Sequence, residues 1–225
     1  MISATASSSD MHALLRPTNR ARLRDTAYVV GNRLAALLLL CVFAPAMALI
    51  ALLVAHRDGM PVFFGHYRVG LNGKLFRCLK FRTMYRDSAQ MLADVLRDDP
   101  VARSEWALHN KLSKDPRITP VGNFLRRTSL DELPQLFNVL RGEMTLVGPR
   151  PITVAELCRY GQVRWDYLSV LPGMTGLWQV SGRSDTTYEE RVALDLRYVE
   201  QRTIWLDAAI LLKTVKVVLA RDGSR

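Results

Sequence analysis

The segment from Leu34 to Ala55 reads LAALLLLCVFAPAMALIALLVA and carries no charge. Nothing else in the chain limits its fold so severely. About 20 consecutive apolar residues match the hydrocarbon core of a bilayer when helical, so this run belongs at a membrane. Arg33 precedes it and His56-Arg57 follow. Pro45 stands near its middle, where it removes a backbone hydrogen bond and crowds the preceding turn. Two arrangements stay open: a kinked helix that spans, or two half-helices that meet at Pro45 and leave by the face they entered. Charge favours the second. Arg16, Arg20, Arg22, Arg24 and Arg33 precede the run and the chain beyond it is also basic, so a hairpin keeps both flanks on the cytoplasmic side. A cleaved secretory signal fits poorly, because the basic region in front is long and the run continues past Ala44-Pro45-Ala46.

The length beyond Ala55 suffices for one domain with its own core, and the formal net charge of +10 suits lipid headgroups, nucleotide phosphates or nucleic acid. Nucleic acid is the weakest of these partners, since neither basic strands interleaved with aromatics nor a recognition helix is evident. Cys41, Cys78 and Cys158 make no disulfide framework, and His12, His56, His66 and His109 are too scattered for a zinc site.

Pro61 to Phe64 and Leu75 to Phe81 read as strands around Asn72-Gly73, a favoured hairpin turn. Alternation in the second strand puts Phe76, Cys78 and Lys80 on one face and Arg77, Leu79 and Phe81 on the other. Residues 87–110 read as helical and polar, interrupted near Pro100, and 111–117 as a loop. A helix is expected over 132–140, ending near Arg141-Gly142. Leu177 to Val180 reads as a short strand between loops at 172–176 and 181–183. Ile204, Ala208, Leu211, Leu212, Val215, Val218 and Leu219 recur at helical spacing. That helix either packs into the core or lies in the bilayer interface.

The chemistry concentrates in Arg126-Arg127-Thr128-Ser129-Leu130-Asp131-Glu132-Leu133-Pro134. Ser129 and Glu132 fit a capping box, which would make the acids ordinary helix-start residues. With Ser129 as cap, however, Pro134 falls inside the helix; with Asp131 as cap it sits in the tolerated first turn. Adjacent helical residues lie about 100° apart, so Asp131 and Glu132 suit two different jobs. Carboxylates beside arginines, with Arg150 following in Gly148-Pro149-Arg150-Pro151, form a combination able to handle a phosphoanhydride: one acid can attack phosphorus or hold a metal while cations neutralise phosphate oxygens.

These segments resemble, in order, the bacterial sugar transferases, the monotopic polyprenyl-phosphate phosphoglycosyl transferases. The matching pieces are the apolar run, Pro61-Val62-Phe63-Phe64, Arg68-Val69-Gly70, Lys80-Phe81-Arg82-Thr83-Met84, Asp115-Pro116-Arg117-Ile118-Thr119 and the stretch from Arg126 to Leu136. They continue with Leu146-Val147-Gly148-Pro149-Arg150-Pro151, Pro172-Gly173-Met174-Thr175-Gly176, Trp178-Gln179-Val180-Ser181-Gly182-Arg183 and Asp195-Leu196-Arg197-Tyr198. The resemblance implies an α+β, mainly helical chain: a re-entrant membrane helix-break-helix, a small β-hairpin and amphipathic interfacial helices around a compact cytosolic catalytic domain. The expected division is a basic, disordered tail at 1–25, the anchor at 26–58 and the catalytic domain at 59–225.

It further implies transfer of a sugar 1-phosphate from a UDP-sugar, glucose or galactose, to undecaprenyl phosphate at the cytoplasmic face of the bacterial inner membrane, with release of UMP. Asp131 would be the nucleophile that forms an aspartyl-phosphosugar intermediate, and Glu132 the Mg²⁺ ligand. Lys80, Arg82, Arg127, Arg150, Arg183 and Asp195 would contact phosphate or support the site, and Pro45 would break the membrane helix. Membrane lipids are implied partners, nucleic acid is not, and a homo-oligomer is allowed. Ala44-Pro45 stands where the family usually has Ser-Pro, and His66 where it usually has Gln. The insert at 87–110 is similar to the branch that starts polysaccharides with a hexose, and the chain reads as a minimal version without that branch's extra N-terminal membrane helices. Two rivals stay open: a non-catalytic, basic monotopic scaffold that binds anionic lipids, and a hydrolase using the same acids with water as acceptor.

Overall fold

The computed structural model describes residues 19–109, 111–182 and 186–220. Residues 1–18 of the tail expected at 1–25, and Arg183, therefore lie outside the described residues. Nine helices and four short strands are described. They run α1 (Asn19–Asp58), β1 (Phe63–Val69), β2 (Leu75–Phe81), α2 (Ser88–Asp98), α3 (Pro100–His109), α4 (Pro120–Arg127) and α5 (Gln135–Arg141). Then come β3 (Thr145–Val147), α6 (Val154–Leu157), α7 (Arg164–Leu168), β4 (Gly173–Thr175), α8 (Tyr188–Gln201) and α9 (Ile204–Ala220). The chain is mainly helical, as expected, and its three cysteines are free.

The apolar run forms the middle of α1, which continues as helix through Pro45 and begins before residue 26. The break expected at Pro45 is therefore not present, and residues 19–25 of the expected tail are helical; the proline costs one backbone hydrogen bond without ending the helix. One side of α1 is packed against the rest of the chain along most of its length. Ala36 packs with Phe76, Cys78, Leu136, Val139 and Met144. Met47, Ile50 and Val54 pack with Val62, Phe81 and Leu125. Polar ties flank the apolar run: the Asn32 Oδ1 accepts from the Leu146 amide at 2.8 Å, and the Thr119 hydroxyl donates to Asp58 Oδ2 at 2.9 Å. The opposite side, including Leu34, Leu38, Val42, Leu49 and Leu52, is exposed.

The expected hairpin is present with Phe63 opposite Phe81 and Val69 opposite Leu75, so its first strand starts later and runs further than Pro61–Phe64. Asn72 and Gly73 take left-handed backbone at the turn, which both residue types tolerate. Phe76 and Cys78 are buried as alternation requires, but Phe81 is buried too, because α1 and α4 cover the strand end on its other face. The polar insert breaks at Asp99, with Pro100 at the first position of α3.

Three local expectations fail. The Ser129 capping box does not form: Ser129 adopts φ 57°, caps nothing, and α5 starts only after Pro134. A proline with its fixed φ and no amide is suited to the entry of a helix, so Pro134 sets the start. Trp178–Val180 is a 3-10 turn, not a strand, while Gly173–Thr175, expected as loop, is β4. It pairs in parallel with β3, an approach that needs glycine, since a Cβ on Gly173 would collide with the Gly148 backbone. A parallel pair distant in sequence leaves no hairpin signal to read.

The C-terminal helix forms as expected, but its apolar stripe does not serve the core. Asp207 and Ile210 face inward, whereas Trp205 is 82% exposed and Leu212 74%. Asp207 instead gathers three elements: the hydroxyls of Tyr28 and Tyr198 donate to its two oxygens at 2.7 and 2.8 Å.

Candidate active site

Asn138 builds the site by fastening α5 to the free edge of β2. Fully buried, it accepts from the Leu79 amide at 2.9 Å and donates to the Arg77 carbonyl at 2.9 Å. This substitutes a side chain for a missing strand, and it sets Lys80 opposite the 3-10 turn Leu130–Glu132 that precedes α5. Lys80 Nζ then lies 2.6 Å from Glu132 Oε1 and 3.7 Å from Asp131 Oδ2. Although adjacent in sequence, the two acids converge on the same ammonium, so the expectation that they serve separate directions is not met.

Asp131 is only 7% exposed. Burial pushes its carboxyl pKa up, opposed by the Lys80 ammonium, while Glu132 adds to the rise. It is thus a poorly solvated carboxyl group whose ionised form is disfavoured by burial and partly recovered by a neighbouring cation.

Both acids line a cavity of about 750 Å³. The hairpin face contributes Phe64, His66, Arg68, Cys78 and Lys80; Arg82, Arg86, Lys111, Arg126, Arg150 and Trp178 close it from other segments. Of the residues expected from sequence, Lys80, Arg82, Asp131, Glu132 and Arg150 share this wall. Arg127 does not: it lies on the outer side of α4 beside Phe124, in a separate shallow pocket. Its neighbour Arg126 lines the cavity instead, with Nε donating to the Thr83 hydroxyl at 2.9 Å.

Asp195 is buried behind the cavity rather than in its wall. Its Oδ2 accepts from the Tyr160 hydroxyl at 2.7 Å, and burial pushes its pKa up to about 6 against the opposing pull of Arg191 and Arg150. Arg191 in turn lies 4.9 Å from the centre of the Trp178 ring and 3.3 Å from Glu156, which also holds Arg68 at 3.1 Å. Asp195 and Glu156 therefore back the arginines instead of facing a ligand. Sequence reasoning missed Asn138, Arg126, Glu156 and Arg191; of these, only Arg126 carried a signal, being next to Arg127.

Magnesium is the metal the resemblance implies. Among the described residues no cluster of three or more His, Cys, Asp or Glu could cage an ion. One or two carboxylates completed by substrate phosphates and water is, however, the usual way a protein holds Mg²⁺, and Asp131 with Glu132 supply that share. The residues fit a magnesium ion that arrives with a diphosphate.

Residues 24–221 match the profile of a family described as bacterial sugar transferase. The chain is 51% identical over 213 residues to the undecaprenyl-phosphate galactose phosphotransferase of Salmonella typhimurium, covering 94% of this chain and 44% of that protein. It is 42% identical over 188 residues to the UDP-glucose:undecaprenyl-phosphate glucose-1-phosphate transferase of Escherichia coli, covering 80% of this chain and 37% of that one. It thus spans less than half the length of these two relatives. The exopolysaccharide production protein ExoY of Rhizobium meliloti is 45% identical over 225 residues and is matched along the whole of both chains.

Proposed function

The chain belongs to the bacterial sugar transferases, and from that premise we propose that it moves a hexose 1-phosphate from a UDP-sugar to undecaprenyl phosphate in two steps. The observation that carries this reading is the buried Asp131 carboxylate beside Lys80 in a cation-lined cavity. An Asp131 oxygen attacks the sugar-bearing phosphorus of the donor; the bond to the bridging oxygen breaks and UMP leaves with the electron pair. An oxygen of the polyprenyl phosphate then attacks the same phosphorus, and the aspartyl bond breaks to restore the carboxylate. Splitting the transfer lets each partner be activated separately.

Lys80 favours the ionised form of Asp131 without bonding it closely, so the attacking lone pair stays available. Glu132, with Asp131 nearby, would hold Mg²⁺, which when bound offsets charge on the donor diphosphate. Arg126 and Arg150 supply fixed positive charge to phosphate oxygens. The names of the relatives favour glucose or galactose as the sugar and exopolysaccharide synthesis as the setting. A lipid-binding scaffold would account for the charge and the exposed apolar helices, but gives no reason for this cavity.

The membrane placement we propose rests on α1. An apolar run crossing about 30 Å of hydrocarbon could not also keep one side packed, from its start to its end, against the body of the chain. Although α1 is continuous at Pro45, its contacts from Asn32 to Asp58 favour an anchor that stays on the catalytic part's side of the inner membrane over a span, with that part at the cytoplasmic face and the exposed stripe of α9 in the interface.

The test is mass spectrometry after incubation with UDP-glucose or UDP-galactose and Mg²⁺ but no lipid acceptor. A hexose-phosphate adduct on the peptide containing Asp131 is expected, absent in Asp131→Asn. Normal UMP release by that variant would remove Asp131 from the mechanism.

A further inference from the structure

On the transferase reading just given, we propose that Arg82 and Arg86 form a separate anion subsite at the membrane-side end of the cavity. It takes the phosphate monoester of the lipid acceptor and not the nucleotide donor.

The hairpin register gives the cavity two ends. Phe64 faces Lys80 across the ladder, His66 faces Cys78, and Arg68 faces Phe76. From Phe64 to Arg68 the wall runs about 14 Å at the usual strand rise. At the Arg68 end β1 meets Ile152, two residues from Arg150, with the Trp178 ring 5.4 Å from the Arg150 guanidinium. At the other end the chain has just left the membrane helix. There Met60 is 61% exposed and Phe64 52%, and Pro61, Phe64 and Phe81 line the cavity. A ligand entering at this end meets apolar side chains first and cations second, an order that suits a lipid phosphate and is wasted on a nucleotide sugar.

The cations at the two ends are also in different states. Arg68 is paired with Glu156. Arg82, although only 7% exposed, has no carboxylate within ion-pair distance among the described residues. Its Nη2 donates to the carbonyls of Asp58 and Gly59, which end the membrane helix, while Nε and Nη1 have no hydrogen-bond partner. Burial and the neighbouring Arg86 both disfavour its charge, the Asp58 carboxylate offsets them only from beyond ion-pair distance, and a buried charge so weakly paired costs heavily unless an anion arrives. Arg86 lines the same end and is exposed, so it can meet that anion directly. Arg82 follows Lys80 by two residues, about 7 Å along the strand, which sets an acceptor oxygen within one phosphate's reach of Asp131.

Two readouts separate the halves of the reaction. Exchange of labelled UMP into UDP-sugar without acceptor reports the donor half; transfer against undecaprenyl phosphate concentration reports the acceptor half. Arg82→Lys can keep a bond to the helix-end carbonyls but removes the spare donors, and Arg86→Ala changes an exposed side chain that folding does not need. Each is expected to raise the acceptor KM tenfold or more while exchange changes less than threefold. Parallel loss of exchange and transfer, or an unchanged acceptor KM in both variants, would overturn the subsite. So would inhibition by phosphatidylglycerol as potent as competition by undecaprenyl phosphate, which would make it a general headgroup site. If the unaltered protein showed no exchange, the transferase reading itself would fall, and the subsite with it.

Discussion

Asp195→Asn should stabilise the protein at neutral pH, and the size of the effect follows from where the carboxylate sits. Asp195 is 1% exposed, and burial raises its pKa from 3.8 to about 6. Tyr160 donates to one oxygen; the other makes no hydrogen bond, although the Arg150 backbone lies near enough to oppose the rise. A folded-state pKa above the unfolded value means that the native protein binds more protons between those two values. Stability therefore increases as pH falls from about 6 towards 3.8, and above pH 6 the buried charge costs about 3 kcal/mol relative to a neutral group. Asparagine removes that charge but weakens the bond from Tyr160, by about 1 kcal/mol. A net gain of about 2 kcal/mol at pH 7.5 corresponds to roughly 4–8 °C in Tm for a chain of this size. Scanning fluorimetry of both proteins in one detergent from pH 4.5 to 8 should show the gap shrink as pH falls. A variant equally destabilised at both ends of that range would mean that Arg191 and Arg150 outweigh burial, and the argument would fail. Transfer activity should survive at a tenth or more, because Asp195 backs the arginines and touches no substrate.

Two further outcomes bear on the site and the anchor. Lys80→Met should shift the acid limb of the donor-exchange pH profile upward, because the charge that favours the ionised form of Asp131 is gone; at an effective dielectric of about 20, unit charges 3.7 Å apart interact by about 4 kcal/mol, and with the Lys80 side chain 32% exposed a loss of about ten- to a hundredfold near pH 6 is expected. An unmoved profile would disconnect Lys80 from Asp131. Single cysteines placed at Thr26 and Arg57 in a background free of native cysteine should both resist an impermeant maleimide in intact spheroplasts and both react after lysis; labelling of one end alone before lysis would mean that α1 spans.

The elements legible in the sequence were those whose signal is local. The apolar run, the Asn72-Gly73 hairpin and the spacing of the C-terminal helix each declare themselves within a dozen or so residues. The β3–β4 pair could not, because each strand is three residues long and its partner lies across α6 and α7. Ser129 to Glu132 carried a real capping pattern, but Pro134 two residues later decided the outcome. Which side of α9 is buried was equally hidden, since Asp207 turns inward only because Tyr28 and Tyr198 donate to it.

The site shows the same limit at finer grain. Asp131 and Glu132 stand out because adjacent acids among arginines are unusual, yet the choice between Arg126 and Arg127 depends on helix register, and one residue is about 100°. Register in α4 comes from outside it: Thr119 caps the helix, its amide donates to the Thr83 carbonyl, and Gly122 packs so close that a Cβ would collide with that same carbonyl. With that edge pressed on the residues after β2, Leu125 turns into the core, Arg126 reaches the cavity and Arg127 points away. A glycine about forty residues from the backbone it touches thus selects which of two identical side chains can meet a phosphate, and no count of arginines near the acids could have made that choice.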